Sequence, residues 1–415
     1  MLYQEMRVNI LRKISVRNSI QAVVLPLVLI AYVFLAVSLS RHTAYYSPYI
    51  LAGHSRISFE KARVLSVDSE HVDKDSNRTG LLSGSQNITI RMLTGAYKGR
   101  QYPIVNTLNY DANYHLKAGQ TVIVSVSTSG SDGTLTIDVS TPDRTSYLYA
   151  MAAVFVLLLC LMGGRRGYKS VIAIGFTLTS VIFIFVPLLY HGVSPTLAAL
   201  ALAAVTACVT LLLTGGVEWK SFVAILGTVG GVAVSAVVEL IFSALTVTSG
   251  YTLGDTESLL AIASRSGLKV GPLLFAAVLI SSLGAVMDVA ISVASAIHEV
   301  YRNNPGSSRR ALFACGMNVG RDMMGTMANT LILAFTGSAL VTLIQIYTYN
   351  MLYYQVMNSN GIATEIIQAL TGSIGVVLTV PMVSLIASAL LPMIERRTAA
   401  LHPSAPVPAA DRLSE

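Results

Sequence analysis

Charged residues are scarce in this 415-residue sequence, since Asp, Glu, Lys and Arg together make up only 12% of it. Soluble domains average about 25% charged residues, so the composition argues against an ordinary soluble enzyme. Hydrophobic residues account for 53% of the chain and are unevenly distributed. Residues 41–146 are polar and strand-like, whereas residues 147–395 consist mostly of long apolar runs. The sequence therefore predicts a membrane protein with a polar domain near its N-terminus.

Cysteines and complete catalytic motifs are also few. Cys160, Cys208 and Cys315 all lie outside the polar segment and form no closely spaced pair, which excludes a disulfide framework and a zinc site of paired cysteines. His298-Glu299 lacks the second histidine of a zinc-protease helix, and the sequence has neither a phosphate-binding loop nor a serine nucleophile elbow. We therefore predict a non-enzyme without a cofactor or a metal.

Eight segments are predicted to cross a membrane as helices, so the expected fold is an all-α polytopic membrane protein. A helical span needs about 20 mostly apolar residues. The first segment follows a basic N-terminus and is followed by no signal-peptidase site, so we interpret it as an uncleaved anchor. The predicted spans are residues 20–39, 147–162, 171–190, 195–213, 221–247, 271–297, 326–348 and 371–394.

The distribution of basic residues predicts the orientation of these spans. Lysine and arginine are enriched on the cytoplasmic side of membrane proteins. With the N-terminus inside, the three short outer loops carry only Arg265 and Lys269, whereas the inner segments carry fifteen lysines and arginines. Both termini are therefore predicted to be cytoplasmic and residues 41–146 extracytoplasmic. The basic residues act as topology signals, so the expected partner is the lipid bilayer and not nucleic acid.

The polar segment after the first span is predicted to form a small β domain. Turn signals such as Ser131-Asp132-Gly133 separate short runs that are rich in β-branched residues. Five such strands suggest an OB-like barrel or a sandwich, with a structural, partner-binding or ligand-binding role left open. The predicted domains are residues 1–40 (basic N-terminus and anchor), 41–146 (β domain), 147–395 (seven-helix membrane domain) and 396–415 (disordered cytoplasmic tail).

Ionisable residues within apolar spans are the strongest functional signal in the sequence. Charged side chains are costly at membrane depth and usually face protein or water. Glu239 lies in the fifth predicted span and Asp288 in the sixth. Other polar residues follow Asp288 at helical spacing and share one arc of the helix with it: Ser292, Ser295 and Glu299.

A second polar stripe with the same spacing enters the seventh span and consists of Asn318, Asp322, Gly325 and Asn329. Consecutive spans run antiparallel, so packing as neighbours would set the two stripes against each other as a polar core. Arg321 could then pair with Glu299. A helix break near Gly320 would instead disrupt the second stripe.

Structural roles are an alternative for the same residues. Serine and asparagine inside membranes often join helices by hydrogen bonds. Such a break near Gly320 or Gly325 would leave the start of the seventh span as an interfacial helix, N-capped by Ser307 or Ser308. In the fifth span, small residues that recur every four positions predict a close helix contact around Glu239: Gly227, Gly231, Ser235 and Ser243.

Two long motifs resemble the YibE/F-like family of bacterial membrane proteins. They are MDVAISVASA at residues 287–296, followed by Glu299, and GMNVGRDMMGTMANTLILAF at residues 316–335. The resemblance implies a multi-pass protein of the bacterial plasma membrane, described as a transporter or permease without an agreed substrate. It also implies a partner in the form of a homo-oligomer or a paired homologous subunit. The positions that match the family motifs are Asp288, Ser292, Ser295, Glu299, Asn318, Arg321, Asp322 and Asn329.

The resulting functional prediction is a membrane transporter of unknown substrate with a polar intramembrane pathway. The candidate pathway or ion-binding residues are Glu239, Asp288, Ser292, Ser295 and Asn329. The candidate inner gate consists of Glu299, Asn318, Arg321 and Asp322. One alternative is a non-transporting scaffold or sensor whose β domain binds an envelope partner. The other is an intramembrane aspartyl protease that would use Asp288 and Asp322 as its acid and base.

Overall fold

The structure is a computed structural model that describes residues 57–74, 80–109, 112–128, 135–252 and 256–401, with side chains as far as residue 393, together with Tyr32, Phe34 and Ser38. Most of the predicted anchor at 20–39 and of the tail at 396–415 lies outside the described residues. The chain divides into two compact units, with the boundary between Met162 and Gly163. One unit contains the strands and the other contains most of the helices.

Five antiparallel strands form a single curled sheet in the first unit. The strands are β1 (Ile57–Lys74), β2 (Leu82–Met92), β3 (Gln101–Leu108), β4 (Thr121–Thr128) and β5 (Leu135–Pro142), in the order β3-β2-β1-β4-β5. The long β1 pairs with β4 through its first half and with β2 through its second half. Irregularities after Val64 and Val67 bend β1, because an extra residue in one strand increases its local twist. The predicted five-stranded domain is thus confirmed as an open half-barrel.

The core of this unit follows from alternating hydrophobic residues. Val64, Ile88, Ile90, Val122 and Val124 are fully buried, and their neighbours along each strand face outward. This period of two is expected of strands that bury one face. The hydrophobic pattern therefore fixes which face of the sheet curls inward.

A buried amide joins the sheet to the loop before β4. The Gln86 side chain is 0% exposed, and its Nε2 donates to Glu70 Oε2 at 3.0 Å and to the Leu116 carbonyl oxygen at 3.1 Å. Its Oε1 accepts from Leu116 N at 2.9 Å and from Asn106 Nδ2 at 3.1 Å. The Gln86 amide is therefore fully hydrogen-bonded, as a buried polar group must be.

An ion pair fixes the chain where it leaves β5. Lys61 Nζ donates to Asp143 Oδ2 at 2.8 Å, and Thr145 N donates to Asp143 Oδ1 at 3.0 Å. These hydrogen bonds, with that from Lys61 the largest cause, lower the pKa of Asp143 from 3.8 to about 2. The ion pair therefore stabilises the β unit at neutral pH.

This stabilisation is expected to depend on pH. Because the folded-state pKa of Asp143 is below its unfolded value, the contribution is complete above about pH 5 and is lost as the pH falls towards about 2. Calorimetry of the full chain should show that Asp143→Asn lowers the unfolding temperature at neutral pH and has little effect near pH 2. Asp138→Asn, which alters an exposed aspartate on β5, is the matched control. If the difference in unfolding temperature between wild type and Asp143→Asn stays constant with pH, the ion pair is not the source of the stabilisation.

Long apolar helices make up the second unit and the segment that leads into it. The helices are α1 (Thr145–Ser180), α2 (Val186–Tyr190), α3 (Pro195–Gly215), α4 (Trp219–Thr246), α5 (Thr256–Ala263), α6 (Leu273–Asn303), α7 (Arg309–Ser338), α8 (Leu340–Thr348), α9 (Tyr353–Met357) and α10 (Asn360–Leu401). A π-helical turn, Val181–Phe185, connects α1 and α2.

Five of the described helices are long and apolar enough to cross a membrane, or six if α7 and α8 form one span bent by 61°. Two of the predicted spans fall within one stretch, Thr145–Tyr190, which is 46 residues long. Its backbone leaves helical geometry at Gly164 (φ 52°, ψ −129°). The protein is therefore mostly helical, as predicted.

Helices α4, α6 and α10 meet in a tight contact at the centre of the helical unit. A Cβ at Gly231 of α4 would collide with Thr379 Oγ1 of α10 and would lie 3.1 Å from Val286 Cγ1 of α6. A Cβ at Gly375 of α10 would collide with Ser235 Oγ. The predicted close contact along α4 is therefore present, because small residues let helix backbones approach.

Helix α7 is continuous through Gly320 and Gly325, where a break was one of the two predicted possibilities. It starts after Ser308, whose side chain accepts a hydrogen bond from Ala311 N at 3.2 Å as an N-cap. It passes through Gly320 without interruption, and that glycine packs against Val380 of α10. The bend comes after Gly337-Ser338, where the Ser338 hydroxyl donates to the Phe335 carbonyl oxygen at 2.8 Å. Such Gly/Ser pairs and hydroxyl-to-backbone bonds favour helix bending.

Candidate intramembrane site

Glu239 is a buried carboxyl group on α4. It lies one helical turn after Ser235, on the face that packs against α10, and is 1% exposed. Within the described part of the chain, neither of its oxygens has a hydrogen-bond partner. The Ser243 hydroxyl on the next turn donates instead to the Thr248 carbonyl oxygen at 2.5 Å.

This environment limits what Glu239 can do. An ionised carboxylate that is buried without a partner is strongly disfavoured, so it must gain a proton or a cation or be exposed by a movement. The side chain is only 1% exposed, which leaves little room for a larger ligand. The site is therefore suited to a proton or to a small cation.

The polar stripe of α6 lies on a different surface. Asp288 and Glu299 are exposed, and Ser292 and Ser295 are half-buried. The remaining face of α6 is apolar and fully buried: Val286, Val289, Val293 and Ile297. The four polar residues thus share one accessible face of the helix.

The structure does not bring Glu239 and Asp288 together. Helix α6 faces Gly231 of α4 through Val286. Asp288 follows Val286 by two residues, which places it about 200° around the helix axis. Glu239 therefore lies in a sealed helix contact and Asp288 on the exposed side of α6.

The polar stripe of α7 is also exposed. Gly316 packs against Ile297 and Ser384, whereas the polar residues lie on other faces of the helix. The candidate site residues of α7 are all exposed: Asn318, Arg321, Asp322 and Asn329. Within this chain, the polar stripes of α6 and α7 therefore do not form the expected polar core. The glycines of α7 make its contacts with α6 and α10 instead.

The expected pair between Arg321 and Glu299 is not formed. Glu299 Oε1 instead accepts from Arg302 Nη2 at 3.0 Å and from Asn303 Nδ2 at 3.4 Å, both on its own helix. These partners are three and four residues away, where side chains meet on a helix surface. Asp288 and Asp322, which the protease alternative requires, share no hydrogen bond in the described structure, and their catalytic role stays a prediction.

Glu365 is a further carboxyl group on an apolar helix that the sequence patterns did not identify. Since the last span was predicted to begin at residue 371, Glu365 fell in an outer loop, whereas α10 begins at Asn360. Apolar residues at helical spacing around it, Ile362, Ile366 and Ala369, could have extended the predicted helix. Among the described residues, Glu365 Oε2 is buried without a hydrogen bond.

Both units match models of known protein families. No curated protein and no solved structure matches the chain significantly. The family model for the YibE/F-like protein matches residues 151–393, and the model for the YibE/F family N-terminal domain matches residues 58–142. The second match coincides with the five-stranded sheet and the first with the helices. The chain therefore belongs to the YibE/F family.

Proposed function

We propose that this protein is a membrane transporter driven by protons or a cation gradient, with Glu239 as the coupling site. The observation that carries the proposal is the buried Glu239 carboxyl group, which lacks a hydrogen-bond partner among the described residues. Acidic residues of this kind inside membranes commonly form proton relays or ion sites. A change of charge at Glu239 would alter the stability of the α4–α10 contact and so couple ion binding to helix movement.

The proposed topology has eight spans. The Thr145–Tyr190 stretch would be about 69 Å long as a straight helix, roughly twice the hydrocarbon thickness. A turn at Gly164 would divide it into two spans, and residues 20–39 would supply the first. Both termini would be cytoplasmic in the bacterial plasma membrane, with the β unit outside. Its strand order and bent β1 support an OB-like, partly open barrel.

The exposed polar faces of α6 and α7 would line the solute pathway. Asparagine and aspartate cannot face acyl chains without a large cost, so water or another subunit must cover them. Asp288, Ser292, Ser295 and Asn329 would contact the solute. The gate at the cytoplasmic end would consist of Glu299, Asn318, Arg321 and Asp322. A second copy or a homologous subunit would close the pathway on its open side.

Everted membrane vesicles provide the test. A respiratory pH gradient is followed by quenching of an acridine dye, and solutes are added from a panel of monovalent cations, divalent cations, organic amines and organic anions. At least one solute is expected to collapse the gradient with wild-type protein, and Glu239→Gln should abolish this response because the neutral amide cannot exchange a proton. Glu257→Gln, which alters an exposed carboxylate of α5, should respond like the wild type. Equal responses from wild type and Glu239→Gln, or no response to the whole panel, would contradict the proposal.

A scaffold or sensor role is the second candidate, and the open sheet favours it. β3 and β5 are the end strands of the described sheet, and end strands can pair with a segment of another protein. Deleting residues 50–140 from the full chain separates the two functions. A transporter with a modular domain should keep solute-dependent flux and lose capture of an envelope partner, whereas a scaffold should show no flux with or without the deletion.

A further inference from the structure

A cleft at the bend between α7 and α8 contains a second carboxyl group that, among the described residues, has a buried oxygen without a hydrogen-bond partner. Its volume is about 270 Å³, and it is lined by the end of α7, the start of α8 and the first turns of α10. Glu365 projects into it from α10, with Oε2 buried and, within the described structure, without a hydrogen-bond partner. Glu239 is not among the lining residues.

The remaining lining is almost entirely apolar. Eight of the ten lining residues are apolar, among them Phe335, Leu343 and Ile366. The one hydroxyl in the lining belongs to Thr336, and it already donates to the Ile332 carbonyl oxygen at 2.7 Å. Among the described residues that line the cleft, Glu365 is therefore the one charged group, and it faces a hydrophobic surface.

Within the described structure, no side-chain or backbone group donates a hydrogen bond to Oε2 of this carboxyl group. Ser338, at the end of α7, donates its proton to the Phe335 carbonyl oxygen at 2.8 Å. Oε2 of Glu365 thus keeps an open acceptor position beside the cleft. Since a buried acceptor without a donor is costly, a ligand that supplies a charged donor would gain a strong hydrogen bond there.

We propose that this cleft binds an amphiphilic primary amine, with its ammonium group on Glu365 and its apolar body along Phe335, Leu343 and Ile366. The single carboxylate selects a cation, and the apolar wall selects a hydrocarbon chain. The volume is slightly below the roughly 300–1,000 Å³ of typical small-molecule sites, so it holds the amine and the first part of the chain. The ligand could be an amine-bearing lipid or a free amphiphilic amine, and both present the same chemistry. The proposal does not depend on transport.

Binding is measured with decylamine on the full-length protein in phosphatidylcholine nanodiscs, which contain no primary amine. We expect one saturable site per chain, with decanol and decanoate binding much more weakly. Glu365→Gln should weaken decylamine binding at least tenfold, whereas the matched Glu257→Gln should leave it unchanged. Leu370→Trp, which fills the cleft and keeps the carboxylate, should also weaken decylamine binding. This second variant tests the cleft independently if Glu365→Gln fails to fold.

Lipid analysis of the purified protein separates the two sources. Phosphatidylethanolamine retained at one molecule per wild-type chain, displaced by decylamine and lost in Glu365→Gln, would identify a lipid. Decylamine binding that is unaffected by added phosphatidylethanolamine would identify a free amine. Equal binding of decylamine and decanol, or equal affinities of wild type and Glu365→Gln, would overturn the proposal whether or not the protein transports a solute.

Discussion

Replacing Gly231 with leucine is expected to disrupt the helical unit. A side chain at this position of α4 would collide with Thr379 on α10 and would press on Val286 on α6. Since neither neighbour can move away without separating helices, the cost should exceed the roughly 1–3 kcal/mol typical of overpacked cores. We therefore expect a large fall in the thermal unfolding temperature and in the yield of folded protein.

The matched control is Gly284→Leu on α6. A Cβ at Gly284 would meet no atom within 4 Å in the described structure, so this substitution adds the same side chain without a collision. Replacing glycine within a helix also gains helix propensity. Thermal unfolding of purified protein in detergent should separate the variants clearly. Similar unfolding temperatures for Gly231→Leu and Gly284→Leu would show that the α4–α6–α10 contact is not closely packed.

Gln86→Leu is expected to destabilise the β unit by about 3–5 kcal/mol. Leucine occupies similar space but removes four hydrogen bonds, and it leaves Leu116 N and the Leu116 carbonyl oxygen buried without their partner. An unsatisfied buried group costs about 1–3 kcal/mol. The loop before β4 should lose its attachment to β2 before the sheet itself unfolds.

Hydrogen exchange of the full chain, followed by mass spectrometry, can locate this effect. Amides of residues 112–120 and of β2 should exchange faster in Gln86→Leu, while those of α6 should be unchanged. Gln101→Leu makes the same substitution at an exposed position of β3 and should leave the exchange of both regions as in the wild type. Unchanged protection around Leu116 would exclude the amide as the attachment point.

The sequence determined those features that depend on local pattern. Apolar runs of the required length predicted the helices because membrane spans must bury their backbone polar groups and expose apolar side chains. Alternating β-branched residues predicted the five strands because successive side chains of a strand point to opposite faces of the sheet. The spacing of Gly227, Gly231 and Ser235 predicted a helix contact, and Ser308 was one of two predicted N-caps for α7. The two long motifs also indicated the YibE/F family.

Tertiary structure alone decided which polar groups face each other. Helical spacing places Asp288 and Glu299 on one arc, but it does not say which neighbour covers that arc. The contact of α7 is made by Gly316 and Gly320, so the polar stripe of α7 is turned outward. Rotation of a helix about its axis depends on the shape of all its neighbours, and this information is spread over distant parts of the sequence. For the same reason, only the fold placed Glu365 in an apolar cleft and left Glu239 without a hydrogen-bond partner among the described residues.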